Sequence, residues 1–381
     1  MRPTKAIINL AYLKANYLAI RKKTKTKVLA VVKADAYGHG FAEVVNALNS
    51  LKERPEYFGV ALSEEGIALR NIKVEQPILL FEPPTANNID EIIKYDLIPT
   101  VFCKEQVQLI EKYFTKSDVK NTHQLKTKPL KKIKVQIKID TGMGRLGVPF
   151  KDAALFIEKI VSNDRFILDG VYSHFATSDE KDKIFAQLQL KRFNAVVLEL
   201  QKKKIRPNVI HIANSGAILT MPKAYFNMVR PGISLYGYPP SQEITSSIKL
   251  RPVMSLISET ASCRWFEKGE SVSYGRKYIL QKRSQIISVP LGYGDGLNRN
   301  LTNKMFCIIK DKIYQQVGSV TMDRIMFDVG EAKIKIGEKV ILLGKSKNHS
   351  IDAWEWSTQL NTIPYEITCN ISKRVPRIYI G

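Results

Sequence analysis

Short runs of apolar, mostly β-branched residues recur along the first part of the chain, with longer amphipathic stretches between them. Over Phe41 to Leu51 and over Ile184 to Lys203, apolar residues return every three or four positions, which predicts helices with one core-facing side. The short runs predict eight strands: Val28 to Val32, Tyr57 to Ala61, Pro77 to Phe81, Ile98 to Phe102, Lys134 to Ile139, Leu168 to Ser173, Val209 to Ala213 and Met228 to Leu235.

Eight strands that alternate with helices predict an α/β fold. Their span of about 235 residues fits a (β/α)8 TIM-type barrel, whose usual size is about 250 residues. An open, doubly wound sheet is the alternative that the same alternation permits.

The pattern changes after Pro239 and Pro240. From Leu250 onward, short strand-like runs follow one another closely, separated by glycines and charged turns, and helical spacing returns only near Asp352 to Leu360. This pattern of short, closely spaced strand-like runs predicts a mainly β domain. We therefore expect a barrel over residues 1–243 and a β domain over residues 244–381.

Composition narrows the class of protein. A hydrophobic content of 44% in 381 residues argues against disorder. The first residues show neither a signal peptide nor an apolar run long enough to span a membrane. The cysteines lie far apart and form no CxxC pair, which favours reduced thiols in a cytoplasmic protein and no metal site. They are Cys103, Cys263, Cys307 and Cys369.

The chain is strongly basic, with 59 Lys and Arg against 36 Asp and Glu and a net charge of +23. Such an excess can indicate binding to nucleic acid or an anionic surface. The densest segment, Lys116 to Lys134, contains no aromatic residue on which a base could stack. We interpret it as a solvated loop and expect no nucleic-acid partner, with binding to RNA or to an anionic surface as the alternative.

Reactive side chains follow several predicted strands at their carboxyl ends, where barrels of this kind place their active sites. Lys33 follows the first strand, and its amine could form a Schiff base with an aldehyde. The others are Arg145 after the fifth strand, His174 after the sixth, Asn214, Ser215 and Gly216 after the seventh, and Arg230 with Gly232 in the eighth. Together they predict one pocket with an amine and two guanidinium groups.

A phosphate site is predicted at Ser215, Gly232 and Ile233. Small residues there let backbone N–H groups approach an anion, as barrels do after their last two strands. A phosphate beside a Schiff-base lysine indicates pyridoxal 5'-phosphate, which stabilises negative charge at the α-carbon of an amino acid.

The chain resembles the alanine racemase family. Nine segments carry the resemblance in order along nearly the whole chain: VVKADAYGHG, DTGMGRLG, SHFAT, ANSG, VRPGISLYG, VSYGRKY, PLGYGDG, TMDRIMFD and YEITCNISKRVPRIY. The resemblance implies a barrel followed by a β domain, a head-to-tail homodimer, and interconversion of L- and D-alanine, which supplies peptidoglycan precursors.

The resemblance also implies two catalytic bases. Lys33 binds the cofactor and acts on one face of the α-carbon, and Tyr274 of the partner subunit acts on the other. A free phenol has a pKa of about 10 and a free lysine amine about 10.4, so both need to be lowered for work near neutral pH. For Tyr274, Arg145 and His174 are the expected sources of that effect.

Further roles are carried over from the resemblance. Arg230 is expected to donate to the unprotonated ring nitrogen of the cofactor, with His211 supporting the guanidinium. The remaining expectations are Tyr37 and Tyr365 as phosphate ligands, Met322 as a substrate contact, Asp323 as an orienting group, Tyr293 in the access corridor, and Lys138 as a lysine often carbamylated in this family.

Other functions stay open at this point. A racemase of broader specificity, acting on serine or lysine, would share these residues. A non-catalytic pyridoxal phosphate homeostasis protein is a second alternative, although such proteins typically lack the β domain. An amino-acid decarboxylase on a similar barrel is a third, against which Arg230 speaks.

Overall fold

A computed structural model describes residues 2–120 and 132–381. The first part of the chain alternates strands and helices. In order, its elements are β1 (Lys5–Asn9), α1 (Leu10–Thr24), β2 (Lys27–Val31), α2 (Lys33–Gly38), α3 (Phe41–Asn49), β3 (Tyr57–Val60), α4 (Ser63–Asn71), β4 (Ile78–Leu80), α5 (Ile89–Lys94), β5 (Ile98–Val101), α6 (Lys104–Lys120), β6 (Ile133–Asp140), β7 (Val148–Pro149), α7 (Ala153–Val161), β8 (Phe166–Tyr172), α8 (Ile184–Lys202), β9 (Val209–His211), α9 (Ser215–Thr220) and β10 (Met228–Val229).

Eight of these strands form the parallel barrel predicted from the sequence. Their order is β10-β2-β3-β4-β5-β6-β8-β9, and every neighbouring pair is parallel. The seam between the two ends of this path is bridged just beyond the strands, where the backbone N–H of Arg230 donates to the carbonyl of Ala213 at 2.9 Å. The doubly wound alternative is therefore wrong.

The second part of the chain is mainly β, also as predicted. Its elements are β11 (Met254–Glu259), β12 (Ser262–Phe266), β13 (Ser271–Val272), β14 (Tyr278–Ile279), β15 (Ser284–Val289), β16 (Phe306–Ile309), β17 (Lys312–Val317), β18 (Ile325–Asp328), β19 (Lys339–Lys345), β20 (Ser350–Ile351), α10 (Ala353–Leu360), α11 (Pro364–Asn370) and β21 (Arg377–Ile380). The main sheet runs β12-β15-β18-β17-β16-β19-β11-β1-β21.

The first strand of the chain belongs to this second sheet and not to the barrel. β1 pairs antiparallel with β11 and parallel with β21. The predicted division between residues 243 and 244 stays a prediction.

Two predicted elements differ from the structure by more than two residues. The run Met228 to Leu235 is a strand only over β10, because Arg230 turns its N–H to the seam and Pro231 has none to offer a neighbour. The segment Lys116 to Lys134 is not a loop throughout, since its ends belong to α6 and β6, and residues 121–131 lie outside the described part of the chain.

A left-handed turn follows β2. From Ala34 to Tyr37, φ lies between 51° and 56°, a conformation that costs roughly 1–2 kcal/mol per non-glycine residue. Neighbouring groups hold it: Nδ1 of His39 bonds the carbonyls of Ala36 and Tyr37 at 3.0 and 2.9 Å, and Arg377 donates to the carbonyl of Gly38. The turn buries Tyr37 four residues after Lys33.

Candidate active site

Lys33 lies at the carboxyl end of the barrel, two residues after β2 ends. Burial, reinforced by the nearby charge of Arg145, lowers the pKa of its amine. Glu65 anchors the backbone beside it, because its carboxylate accepts the N–H groups of Ala34 at 2.6 Å and Ala61 at 2.7 Å. A half-buried amine with a lowered pKa is suited to nucleophilic and base chemistry.

Tyr172 forms a platform inside the barrel rim. Its ring stacks on His211 with centroids 5.0 Å apart and an interplanar angle of 1°. The amine of Lys138 and the guanidinium of Arg230 lie over the same ring at 5.7 and 5.2 Å. The phenol hydrogen-bonds Thr100 at 2.7 Å. Three predicted site residues thus meet on one ring that the sequence did not single out.

Arg230 is buried and held on several sides. Its Nη1 donates to Nδ1 of His211 at 2.7 Å, and its Nη2 donates to the carbonyl of Ser173 at 2.6 Å and to Nδ1 of His174 at 3.2 Å. Within the described residues, its Nε has no acceptor. A guanidinium only donates, so this N–H is available for an acceptor atom of a bound molecule.

Both histidines beside Arg230 are held neutral. Burial lowers the pKa of His174 well below its usual value, and the positive charges of Arg230, Arg145, Lys138 and Lys33 add to the effect. Burial and Arg230 lower the pKa of His211 in the same way. Because both rings are neutral, each can accept a hydrogen bond at the nitrogen that faces Arg230.

Three small residues, Ser215, Gly232 and Ser234, form a cradle beside the left-handed turn. The hydroxyl of Ser215 accepts the N–H of Gly232 at 3.0 Å and that of Ser234 at 3.3 Å. A Cβ atom on Gly232 would lie 2.6 Å from the hydroxyl of Tyr37, so only glycine fits there. Ile233, the next residue, is fully buried.

Two tyrosines border this cradle. The rings of Tyr37 and Tyr365 lie 5.8 Å apart, and burial raises the pKa of both phenols. Both hydroxyls therefore stay protonated and can donate to an anion.

Positive charge dominates the site. Lys33, Lys138, Arg145 and Arg230 all contribute to the lowered pKa of His174, so all four cations lie near its ring. Burial, together with the positive charges of Arg145, Arg230 and Lys33, lowers the pKa of Lys138 to about 8. Such a site favours a ligand that carries negative groups, for example phosphate or carboxylate.

Three other predicted residues lie on an exposed unit of the β domain. Tyr274, Met322 and Tyr293 are 74%, 52% and 43% exposed. Within the described residues of this single protomer, no hydrogen bond or ring contact joins any of them to Lys33, His174 or Arg230. The structure therefore does not bring the two predicted bases together in one protomer.

Backbone hydrogen bonds tie the loops of this unit together. The N–H groups of Tyr293 and Gly294 donate to the carbonyls of Thr321 and Met322 at 3.0 and 2.9 Å. The hydroxyl of Ser319 donates to the carbonyl of Tyr274 at 2.9 Å. The three exposed side chains are thus presented as one surface.

Asp323 is an anchor for this unit. Its carboxylate accepts a hydrogen bond from Arg374 at 2.7 Å, and Arg374 also lies 3.5 Å from the buried carboxylate of Asp295, in the loop that carries Tyr293. Asp323 therefore ties the loop of Met322 to Arg374, and its role as an orienting group stays a prediction.

Sequence reasoning missed Tyr172, Gln136 and Asp169, which line the barrel behind the predicted residues. Tyr172 could have been found, because it directly precedes the SHFAT segment at the end of its strand. A groove of about 900 Å³ between the barrel and the β domain, lined by Tyr238, Arg251 and Trp354, contains none of the predicted site residues.

Comparison with known families covers both parts of the chain. Residues 8–240 match the model of the alanine racemase N-terminal domain, and residues 253–379 match that of the C-terminal domain. Alanine racemase 2 of Caldanaerobacter subterraneus subsp. tengcongensis is 38% identical over 100% of this chain and 95% of its own length. Alanine racemase of Citrifermentans bemidjiense is 39% identical over 100% and 99%.

Solved structures give the same picture. Alanine racemase of Clostridium difficile 630 superposes with a TM-score of 0.90 at 34% identity, covering 99% of this chain and 96% of its own. Alanine racemase of Bacillus anthracis with bound L-Ala-P gives 0.88 at 32%, covering 100% and 96%. A histidine racemase of Leuconostoc mesenteroides subsp. sake shares the fold at 24% identity and a TM-score of 0.87, covering 100% and 98%. The fold alone therefore does not fix the substrate.

In the described part of the chain, no helix has the length and apolar character that crossing a membrane requires.

Proposed function

Since this chain belongs to the alanine racemase family, we propose that it is a pyridoxal phosphate-dependent racemase that interconverts L- and D-alanine and so supplies D-alanine for peptidoglycan in the bacterial cytoplasm. The observation that carries the proposal is the cluster of Lys33, Arg145 and Arg230 around a neutral His174 at one rim of the barrel.

The residues of this rim fit pyridoxal 5'-phosphate. When bound, that group withdraws electrons from the α-carbon of an amino acid and so makes its proton removable. Lys33 is the amine that would hold it, and Tyr37, Tyr365, Ser215, Gly232 and Ile233 would hold its phosphate. The Nε–H of Arg230, which has no acceptor within the described residues, supports a role for Arg230 as hydrogen-bond donor to the ring nitrogen of the cofactor. A guanidinium donates a hydrogen bond to that nitrogen and keeps its own proton.

Racemisation needs one proton carrier on each face of the α-carbon. Lys33 serves one face, and its lowered pKa leaves more of the amine in the neutral, basic form. Tyr274 of the partner subunit serves the other face, with Met322 and Tyr293 shaping the space for a small side chain. The exposure of these three side chains in one protomer supports a homodimer with shared sites.

Arg145 and His174 are the residues that prepare the site for substrate. Arg145 is the cation available for the substrate carboxylate. Nδ1 of His174 accepts from Arg230, so the proton of the neutral ring lies on Nε2 and can be donated to the phenol of Tyr274. His211 keeps Arg230 in place from the other side.

Carbamylation of Lys138 is a testable part of this proposal. With a pKa of about 8, about one tenth of its amine is neutral at pH 7, and the neutral amine is the form that adds carbon dioxide. The resulting anion would offset the surrounding cations and hold Arg145. We expect 13C-bicarbonate to give a carbamate signal at neutral pH that disappears on acidification, as the amine becomes protonated.

The control for this label lies on the same strand. Lys138→Arg removes the reactive amine, whereas Lys134→Arg changes an exposed lysine four residues earlier on β6. The signal is expected to survive only in the second variant. A signal that persists in Lys138→Arg would assign it to another lysine.

A direct assay separates the remaining functions. Purified protein is scanned for the absorbance of bound pyridoxal phosphate and then given L-alanine, L-serine and L-lysine in parallel, with the D-enantiomers as readout. We expect the D-form of alanine in large excess. A comparable rate with serine or lysine would favour the broad-specificity alternative, and bound cofactor without any turnover would favour the non-catalytic one.

A further inference from the structure

A chain of buried hydrogen bonds runs from Arg230 into the barrel interior. Nη1 of Arg230 bonds Nδ1 of His211 at 2.7 Å, and Nε2 of His211 bonds Oε1 of Gln136 at 2.8 Å. Nε2 of Gln136 then bonds the carboxylate of Asp169 at 2.8 Å. All four side chains are less than a tenth exposed, so solvent does not substitute for any link.

A β-bulge aims Asp169 into this interior. On β6 and β8, Val135 pairs with Leu168 and the next residue, Gln136, pairs with Gly170, so Asp169 is left without a partner in the ladder. Bulges re-aim a side chain by breaking the alternation of a strand. Here the extra residue turns a carboxylate toward the centre of the barrel, where an acid would otherwise be costly.

Three donors converge on this carboxylate. Besides Gln136, the hydroxyl of Tyr57 donates to it at 3.0 Å and the amide of Asn208 at 3.3 Å. Burial and the charge of Asp169 raise the pKa of Tyr57, so that phenol stays a donor. Asp169 is therefore the acceptor at which this series of hydrogen bonds ends.

The donor and acceptor of every hydrogen bond in this series follow from the carboxylate of Asp169. A carboxylate only accepts, so Gln136 must present its NH2 to Asp169 and its oxygen to His211. That oxygen needs a donor, so Nε2 of His211 carries the proton. Burial keeps His211 neutral, and its Nδ1 is then an acceptor for Arg230.

We propose that Asp169 is a positioning residue that sets the tautomer of His211 through Gln136, and thereby fixes Arg230 as a donor toward the active site. The meaning of that last step rests on the proposed function, whereas the tautomer itself does not. With the proton on Nδ1 instead, two N–H groups would face each other at 2.7 Å, and the pair would separate. Arg230 would then lose one of the contacts that orient its free Nε–H.

The first test reads the tautomer in the wild-type protein and uses one variant only to assign the signal. The chain has five histidines, so 15N-histidine NMR of the cofactor-free protein gives few signals, and His211→Asn identifies the one of interest. A protonated and an unprotonated ring nitrogen have well-separated 15N shifts. We expect His211 to show a protonated Nε2 and a bare Nδ1. A wild-type signal with the proton on Nδ1 would overturn the proposal, whether or not the protein is a racemase.

Two variants then test the relay. Asn can present either its oxygen or its NH2 to Gln136, so Asp169→Asn is expected to give both tautomers of His211, and Gln136→Leu, which removes the acceptor, is expected to do the same. Tyr57→Phe is the matched control, since it removes a bond to Asp169 without touching Gln136, and it should leave the wild-type pattern. The unchanged wild-type tautomer in both Asp169→Asn and Gln136→Leu would show that Asp169 only fills the interior.

A second readout links the tautomer to the site. Loss of one charge-assisted contact to Arg230 is expected to weaken pyridoxal phosphate binding to Gln136→Leu about tenfold, measured by fluorescence quenching against Tyr57→Phe. Equal affinities in the two variants would contradict an effect of the relay on Arg230.

Discussion

Tyr274→Phe is expected to slow racemisation about 10²–10⁴-fold, the usual contribution of a positioned acid or base. The loss in kcat/KM must be the same from either enantiomer, because L- and D-alanine are equally populated at equilibrium and the two directions are linked. A difference between the faces therefore cannot be seen in racemisation rates. It becomes visible in exchange of the α-proton with solvent.

In deuterated water, Tyr274→Phe is expected to exchange the α-proton of one enantiomer only, since Lys33 still serves its own face. The measurement is deuterium content of recovered L- and D-alanine by mass spectrometry. Tyr314→Phe is a suitable control because Tyr314 lies half-buried on β17 of the same domain, and it should exchange both enantiomers as the wild type does. Exchange of both enantiomers at near wild-type rates in Tyr274→Phe would exclude it as the second base.

Heterodimers of two inactive variants are expected to recover about half of the wild-type activity. If each site combines Lys33 of one subunit with Tyr274 of the other, a dimer of Lys33→Ala with Tyr274→Phe contains one site with both residues intact and one with both replaced. Two affinity tags on coexpressed chains allow the mixed dimer to be purified and assayed for D-alanine.

The homodimers of each variant and a mixed dimer of Lys33→Ala with the double variant provide the controls. In every site of these dimers at least one base is missing, so all should stay at least about 100-fold below wild type. A mixed dimer of the two single variants that is equally inactive would mean that both bases belong to one subunit, and would contradict the shared-site proposal.

The fold and the barrel side of the site were largely predictable from the sequence. Strand runs bounded by turns gave the barrel, and Lys33, His174 and Arg230 could be singled out because each follows a strand at the same rim. Tyr274 and Met322 came only from the resemblance, since a pattern in one chain carries no information about what a second copy contributes.

Two features of the structure could not be predicted from the sequence, for physical reasons. Asp169 interrupts an apolar strand, and only the bulge between β6 and β8 explains how its carboxylate reaches Gln136. The left-handed turn after β2 is equally hidden, because Ala34 and Ala36 have no preference for positive φ, and the contacts that hold the turn come in part from Arg377, far along the chain. Contacts with distant parts of the chain, and not the preferences of the local residues, determine both the position of the Asp169 carboxylate and the conformation of this turn.

The position of β1 between β11 and β21 has a consequence for synthesis on the ribosome. Residues 5–9 leave the ribosome long before the strand Arg377–Ile380, which pairs with them. At translation rates of about 5–20 residues per second, nascent β1 waits tens of seconds with at least one edge unpaired. Its shortness, five residues with a lysine at its start, limits the surface through which two growing chains could aggregate.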